Sequence, residues 1–217
     1  VVATDAGVLA PEAARTALTD EHAALLVQYP SFAGTVQDLA PLAQAAHDAG
    51  ALAICATDLH ACGLLAPPGE SGFDVAIGDG QPLGIPASFG GPHVGFMAVS
   101  HAQMRRIPGR LVGMTLDHDE RRAYTLTLQA REQHIPREKA ASNICTNQAL
   151  CALAATADLA AVGPEGLREV AELSMTQSRH LASALEAAGI GERRFAGAYF
   201  NEVAIEQGVY ATFMPKT

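Results

Sequence analysis

Short apolar segments alternate with amphipathic and polar stretches along the first hundred residues. Three of these segments have the length and composition of buried strands: 23–29, 51–57 and 73–77. Between the first two, Asp38 can cap a helix that presents one apolar face and that Gly50 ends. This order predicts a βαβ unit, whose right-handed crossover places the residues after each strand, including Asp58, at one carboxyl edge of a parallel sheet.

The same pattern predicts further elements on both sides of this unit. Before it we predict a strand at 1–3 and a helix at 11–18, and after it a helical turn at 59–65 and a strand at 93–99. Two apolar segments, 111–116 and 124–129, flank the polar sequence DHDERR. That arrangement is typical of a β-hairpin.

The last third of the chain is rich in alanine and leucine at helical spacing. It predicts a helix from Ser142 or Asn143 to Val162, a break at 163–166, and a second helix at 167–188. A strand at 198–205 follows. We therefore expect an α/β chain with a large domain at 1–160, and a linking helix with the beginning of a smaller domain at 161–217.

The composition is that of a globular protein, since 49% of the 217 residues are hydrophobic and 17% are charged. A net charge of −9 provides no basic surface for nucleic acid or an anionic membrane, and no apolar run approaches the roughly 20 residues of a membrane span. The four cysteines form no CxxC pair, which favours free thiols in a reducing, cytoplasmic compartment. The strand-like start and the unfinished end at 208–217 indicate a piece of a longer chain.

A glycine-rich sequence follows the third predicted strand and has two interpretations. One is the turn of a dinucleotide-binding site at Gly78, Gly80 and Gly84, which requires a helix next. Three prolines between residues 82 and 92 oppose that helix. The other is a pyridoxal phosphate (PLP) site, with Asp58 holding the pyridinium nitrogen and a lysine after the next strand. Gln81 occupies that lysine position, and the chain's two lysines, Lys139 and Lys216, stand elsewhere.

Three sequence segments resemble one half of a known enzyme family. They are GDGQPLGIPASFGGPHVGFMAV, MRRIPGRLVGMT and LTLQAREQHIPREKAASNICTNQAL, and the resemblance covers nearly all of 23–205. The family is the P-proteins of the glycine cleavage system, the glycine dehydrogenases (decarboxylating), and the resemblance is to their lysine-less half. The wording GDGQPLG is more similar to the separate subunit 1 of two-subunit members than to the N-terminal half of fused members.

The resemblance implies the large domain of PLP-dependent transferase fold type I, with a mostly parallel sheet flanked by helices and the start of a small α+β domain. It implies that an assembled heterotetramer decarboxylates glycine with pyridoxal 5'-phosphate and passes the aminomethyl group to the lipoyl arm of the H-protein. A lysine-bearing partner, subunit 2 or a C-terminal half, would bind the cofactor covalently, and this chain alone would be inactive. The alternatives are an autonomous PLP enzyme that uses Lys139 and a nucleotide-binding module.

The resemblance also selects the candidate site residues. In fold type I dimers a Ser- or Thr-bearing segment reaches the cofactor phosphate of the partner, and here that segment contains Ser142, Asn143 and Thr146. A helix N-terminus with hydroxyl groups suits a phosphate dianion, but ordinary helix capping explains the same residues equally well. Upstream of it, Arg131, His134 and Arg137 are either interface ion pairs or an anion-binding group. We expect no catalytic residue and no metal ligand in this chain.

Other polar residues near the predicted sheet edge also have structural interpretations. Asp58 is either a pyridinium-binding acid or a turn cap, and Gln81, a neutral amide, cannot form an imine. His93, beside the glycine loop at 90–92, is expected to be a hydrogen-bonding residue. Asp58, His60 and Cys62 alternate like metal ligands, but they lack a distant fourth ligand.

Overall fold

A computed structural model describes residues 1–2, 4, 6–129, 132–140 and 148–206. Its centre is a four-stranded sheet with the order β1-β2-β3-β4, formed by β1 (Ala24–Tyr29), β2 (Leu52–Thr57), β3 (Val75–Asp79) and β4 (Gly95–Val99). The first three strands are parallel and β4 is antiparallel to β3. All four predicted strands are confirmed, with β3 and β4 each beginning two residues later than expected. The strand predicted at 1–3 is wrong for Val1 and Val2, which lie outside any strand, and residue 3 is not described.

The predicted βαβ unit is formed by β1, β2 and the helix between them, α2 (Ala40–Asp48). The predicted cap is wrong by one residue, because Leu39 is the N-cap of α2 and makes no side-chain capping bond. Asp38 lies one position before it and accepts a hydrogen bond from the backbone N–H of Ala40 (3.0 Å), which fixes the turn that leads into the helix. The buried face of α2 consists mainly of alanine, which lets the helix lie close to the sheet. A shorter helix, α1 (Pro11–Ala17), packs onto α2 through Ala14 and extends the same core.

The predicted hairpin is present as β5 (Leu111–Leu116) and β6 (Arg122–Thr127). The second strand begins two residues earlier than its apolar pattern indicates. Asp117 accepts hydrogen bonds from the backbone N–H groups of Asp119 (2.8 Å) and Arg121 (3.0 Å) and fixes the turn between the strands. The hairpin is therefore a locally specified unit, separate from the main sheet.

A long helix, α3 (Ala149–Ala187), carries the predicted break at Gly163, whose backbone is not helical (φ 62°, ψ −174°). The helix resumes at Pro164, three residues before the predicted position, and the predicted start at 142–143 lies outside the described residues. Within the described part of the chain, α3 is the one helix long and apolar enough to cross a membrane. The 14 residues before Gly163 extend only about 21 Å, which is shorter than a bilayer core.

The strand predicted at 198–205 is wrong except for its last residue. Residues 198–200 instead bond to the loop after β1: the N–H of Val36 donates to the carbonyl of Ala198 (3.0 Å), and the N–H of Phe200 to that of Gly34 (3.1 Å). Two short strands on either side of these residues, β7 (Glu192–Arg193) and β8 (Ile205–Glu206), form an antiparallel pair. Phe200 is fully buried against Ala61 and Ala171. Residues 198–202, which we call the return segment, therefore join α3 to the sheet.

Candidate functional site

A cavity of about 310 Å³ lies at the carboxyl ends of β1, β2 and β3. The residues that follow each strand line it on one side, and the return segment closes it on the other through Asn201 and Glu202. The parallel strands place their carboxyl ends side by side, and ligands of open α/β sheets bind at this position. This cavity is the candidate functional site.

Asp58 and Gln81, which the sequence placed at one edge of the sheet, both line this cavity. Asp58 accepts a hydrogen bond from the backbone N–H of His60 (2.9 Å), which is the turn-capping interaction. The backbone N–H of Gln81 donates to the side chain of Asp79 (2.9 Å), so the end of β3 forms a similar turn. The side chain of Asp58 and the backbone of Gln81 are therefore held by local turns, and the side-chain amide of Gln81 donates a long hydrogen bond to the carbonyl of Pro86 (3.5 Å).

His93 connects the glycine loop (90–92) to the end of β3 through two polar contacts. Its Nδ1 lies 2.6 Å from a carboxylate oxygen of Asp79, and its Nε2 lies 3.1 Å from the carbonyl oxygen of Gly90. The predicted hydrogen-bonding role is confirmed. No helix follows Gly84 as a dinucleotide-binding turn would require, because the chain forms turns and then enters β4.

The charges of the cavity are negative. Asp58, Asp79 and Glu202 contribute three carboxyl groups, and no Lys or Arg is among the described residues that line it. A covalently bound PLP needs an amine for its aldehyde and positive charge or N–H donors for its phosphate. The described lining residues do not fit that cofactor. Lys139, the alternative amine, lies in an exposed turn (Arg137–Lys139) and does not line the cavity.

The phenol of Tyr29, which lines the cavity, and two thiols in and after β2 remain protonated at neutral pH. Burial, with a smaller contribution from Cys62, raises the pKa of Cys55 to about 12. Burial also raises the pKa of Cys62, although a hydrogen bond with Thr57 opposes the change, and burial raises the pKa of Tyr29. A thiol that is not ionised is a poor nucleophile and a poor metal ligand. These groups therefore form packing around the site.

Other sequence candidates lie away from the cavity. His134 and Arg137 are exposed, whereas Arg131 lies outside the described residues. In the described part of the chain, the ligand atoms of Asp58, His60 and Cys62 do not converge. The proposed phosphate-binding residues also lie outside the described residues: Ser142, Asn143 and Thr146.

Asn201 and Glu202 form one wall of the cavity, and no sequence pattern indicated them. They follow the strands of the sheet by more than 100 positions, and only the return of residues 198–200 to the loop after β1 brings them there. The sequence at 198–205 predicts a strand, so it gives no signal for this placement.

Comparison with known proteins places the chain in one family. The family model for the glycine cleavage system P-protein matches residues 3–213. A Lysinibacillus sphaericus protein named probable glycine dehydrogenase (decarboxylating) subunit 1 is 48% identical over 200 residues, covering 92% of this chain and 44% of the relative. The chain thus spans less than half the length of this relative.

Solved structures agree with this assignment. The inhibitor-bound crystal structure of glycine decarboxylase (P-protein) superposes with a TM-score of 0.83 at 47% identity, covering 94% of this chain and 46% of that one. Sphingosine-1-phosphate lyase from Burkholderia pseudomallei, at 15% identity and a TM-score of 0.61, shares the fold alone. The α/β fold is that of the PLP-dependent transferases of fold type I, as expected. With its matching sequence and fold, this chain belongs to the P-protein family of the glycine cleavage system.

Proposed function

We propose that this chain is the non-catalytic, lysine-less part of glycine dehydrogenase (decarboxylating) and acts only together with a lysine-bearing partner. One observation carries the proposal. The sheet edge that should hold a lysine presents Gln81 in a cavity with three carboxyl groups and no amine among its described residues. A neutral amide cannot bond to the PLP aldehyde, so the covalent chemistry requires an amine from elsewhere.

The cofactor of the assembled enzyme is PLP, which supplies an electron sink for the loss of CO2 from glycine. The partner subunit, or a C-terminal half, holds it covalently. This chain contributes a rigid wall: Asp79, His93 and Gly90 fix the loop that follows β3. The aminomethyl product passes to the lipoyl group of the H-protein, and the reaction takes place in the cytoplasm.

The residues of this chain proposed to face the partner's cofactor are Ser142, Asn143 and Thr146. They immediately precede α3, which begins at Ala149. Free backbone N–H groups and the helix dipole at such a position favour a phosphate, and hydroxyl groups can add hydrogen bonds. Helix capping by the same residues is the alternative. The division into a large domain at 1–160 and the start of a small domain at 161–217 belongs to the same proposal.

Reconstitution tests the non-catalytic role directly. The protein containing this chain should show no PLP absorbance alone, and glycine decarboxylation should appear only when the lysine-bearing partner is added. Borohydride reduction of the active complex followed by mass spectrometry should place the cofactor on a lysine of the partner. Lys139→Arg, as the control, should leave decarboxylation unchanged. A reduced adduct on Lys139 would show that this chain is an autonomous PLP enzyme.

A double substitution tests the phosphate role. Ser142→Ala with Asn143→Ala should weaken PLP binding by the assembled enzyme at least about 100-fold, because two hydrogen bonds to a charged group are removed and each contributes about 1.5–3 kcal/mol. The measurement is PLP titration followed by absorbance, with Ser183→Ala on the exposed surface of α3 as the control. Unchanged PLP affinity in the double variant, combined with a lower melting temperature, would assign these residues to helix capping.

A further inference from the structure

The β5–β6 hairpin presents one apolar face to solvent. In the antiparallel register Val112 lies opposite Leu126, and Met114 lies opposite Tyr124. With Leu116, these side chains alternate along the two strands and point to the same side. Each is 43–71% exposed. We refer to these five residues as the hairpin apolar face.

This face is as large as the largest apolar patch on a typical monomeric protein, and such patches are often functional. Five large apolar side chains at these exposures present on the order of 500 Å² of apolar surface, over half of the roughly 800 Å² that one partner contributes to a standard interface. A two-stranded hairpin is also only marginally stable in water by itself. Among the described elements, β5 and β6 pack substantially only against each other. The hairpin therefore requires a partner surface.

The chemistry of the face indicates a subunit interface. Tyr and Met occupy its centre and Arg122 lies at its end, and these three residue types are enriched in interfaces between proteins. The adjoining turn, 117–121, is charged and exposed, as the rim of an interface usually is. By contrast, the described core of the chain is built mainly from Ala and Leu.

The position of the hairpin in the chain agrees with this assignment. The chain passes from β6, which ends at Thr127, towards the Ser142 segment, which is proposed to reach the partner's cofactor. We infer that the hairpin apolar face is a docking surface for the lysine-bearing subunit of glycine dehydrogenase. This inference rests on the proposed function and specifies where the two subunits meet.

Substitutions on the two faces of β5 test the docking surface. Met114→Lys places a charge at the centre of the apolar face, and Thr115→Lys places the same charge on the next exposed residue, which points to the opposite side. In the full-length subunit, Met114→Lys should raise the dissociation constant for the lysine-bearing subunit at least about 30-fold, whereas Thr115→Lys should change it less than threefold. Sedimentation velocity measures the association, and thermal unfolding of the isolated subunit measures its stability.

The possible results distinguish a failure of the docking surface from a failure of the proposed function. If the wild-type subunits do not associate, the proposed function is wrong and the docking surface with it. If they associate and Met114→Lys binds as tightly as wild type, the docking surface alone is wrong. If Met114→Lys lowers the melting temperature of the isolated subunit and Thr115→Lys does not, the face is covered by its own polypeptide, which also overturns the inference. Met114→Thr, which keeps a residue favourable for strands, should also weaken association if docking is correct.

Discussion

Gly78 in β3 is the position where a single added carbon should disturb the candidate site most. It lies between β2 and β4, and a Cβ placed there would approach the backbone carbonyl oxygen of Thr57 much closer than 3.0 Å. It would also lie 2.5 Å from Cε1 and 2.7 Å from Cζ of Phe96. The Phe96 ring can rotate, but the carbonyl of Thr57 belongs to the parallel sheet and cannot move without separating β2 from β3.

The expected loss of stability for Gly78→Ala follows from this geometry. Inserting one carbon into a closely packed site destabilises a protein by about 1–3 kcal/mol. We expect about 2 kcal/mol, which corresponds to a decrease in melting temperature of roughly 4–8 °C for a chain of this size. Because Thr57 and Gly78 both line the cavity, the variant should also widen it between Asp58 and Gln81.

Gly95→Ala in the neighbouring strand is a matched control. A Cβ at Gly95 would lie 4.0 Å from the carbonyl oxygen of Gly78, which is an ordinary van der Waals distance. Its free energy of unfolding should therefore change by less than about 0.5 kcal/mol, or increase slightly as strand glycines are replaced. Urea denaturation of both variants measures the difference. Equal midpoints for Gly78→Ala and Gly95→Ala would refute the packing argument.

Two further predictions concern titratable groups. Burial by itself would raise the pKa of Asp74. The hydrogen bonds that its carboxylate accepts from the backbone N–H of Ala53 and from His47 outweigh this effect, so the pKa of Asp74 lies below its ordinary 3.8. Since the folded pKa is the lower one, this stabilisation is complete above about pH 4–5 and is lost as the pH falls through the folded pKa. Asp74→Asn should thus lose about 1 kcal/mol at pH 7 in urea denaturation and progressively less as the pH falls below about 4; a loss that does not change with pH would contradict this. Burial raises the pKa of Cys55 to about 12, so iodoacetamide at pH 8 should label it only in urea, as mass spectrometry can show; rapid labelling of the folded protein would contradict its burial.

The positions of the strands in the main sheet could be predicted from local sequence. The three parallel strands are apolar runs that are followed by Pro30, Asp58 and a glycine. Residues of these types end a strand through their local backbone preferences, so the strand ends can be predicted from adjacent sequence. The break at Gly163 was predictable for the same reason. The strand expected at 198–205 is absent except for its last residue. The apolar residues on both sides of Asn201 and Glu202 fit any partly buried extended segment, and the hydrogen-bond partners of residues 198–200 are residues 34–36, far away in the chain.

The candidate site was predictable only where topology determines it. The right-handed crossover rule was enough to bring Asp58 and Gln81 to one edge of the sheet. The third carboxyl group of the cavity was not predictable, because Glu202 enters it through a long-range contact. The pairing of Asp79 with His93 crosses the loop between two strands, and the sequence alone could not fix the direction of that loop.

The bridge between Thr35 and Tyr199 joins positions 164 residues apart. Closing a loop of that length carries an entropic penalty on the order of 4–5 kcal/mol, so this contact should form late, after the sheet and α3 already hold the two segments near each other. The wall of the cavity that contains Asn201 and Glu202 is consequently among the last parts to assemble. Local opening of that wall requires the release of a few hydrogen bonds and the removal of Phe200 from its buried contacts, but no strand of the sheet has to separate, so access to the sheet edge can change while the strands stay intact.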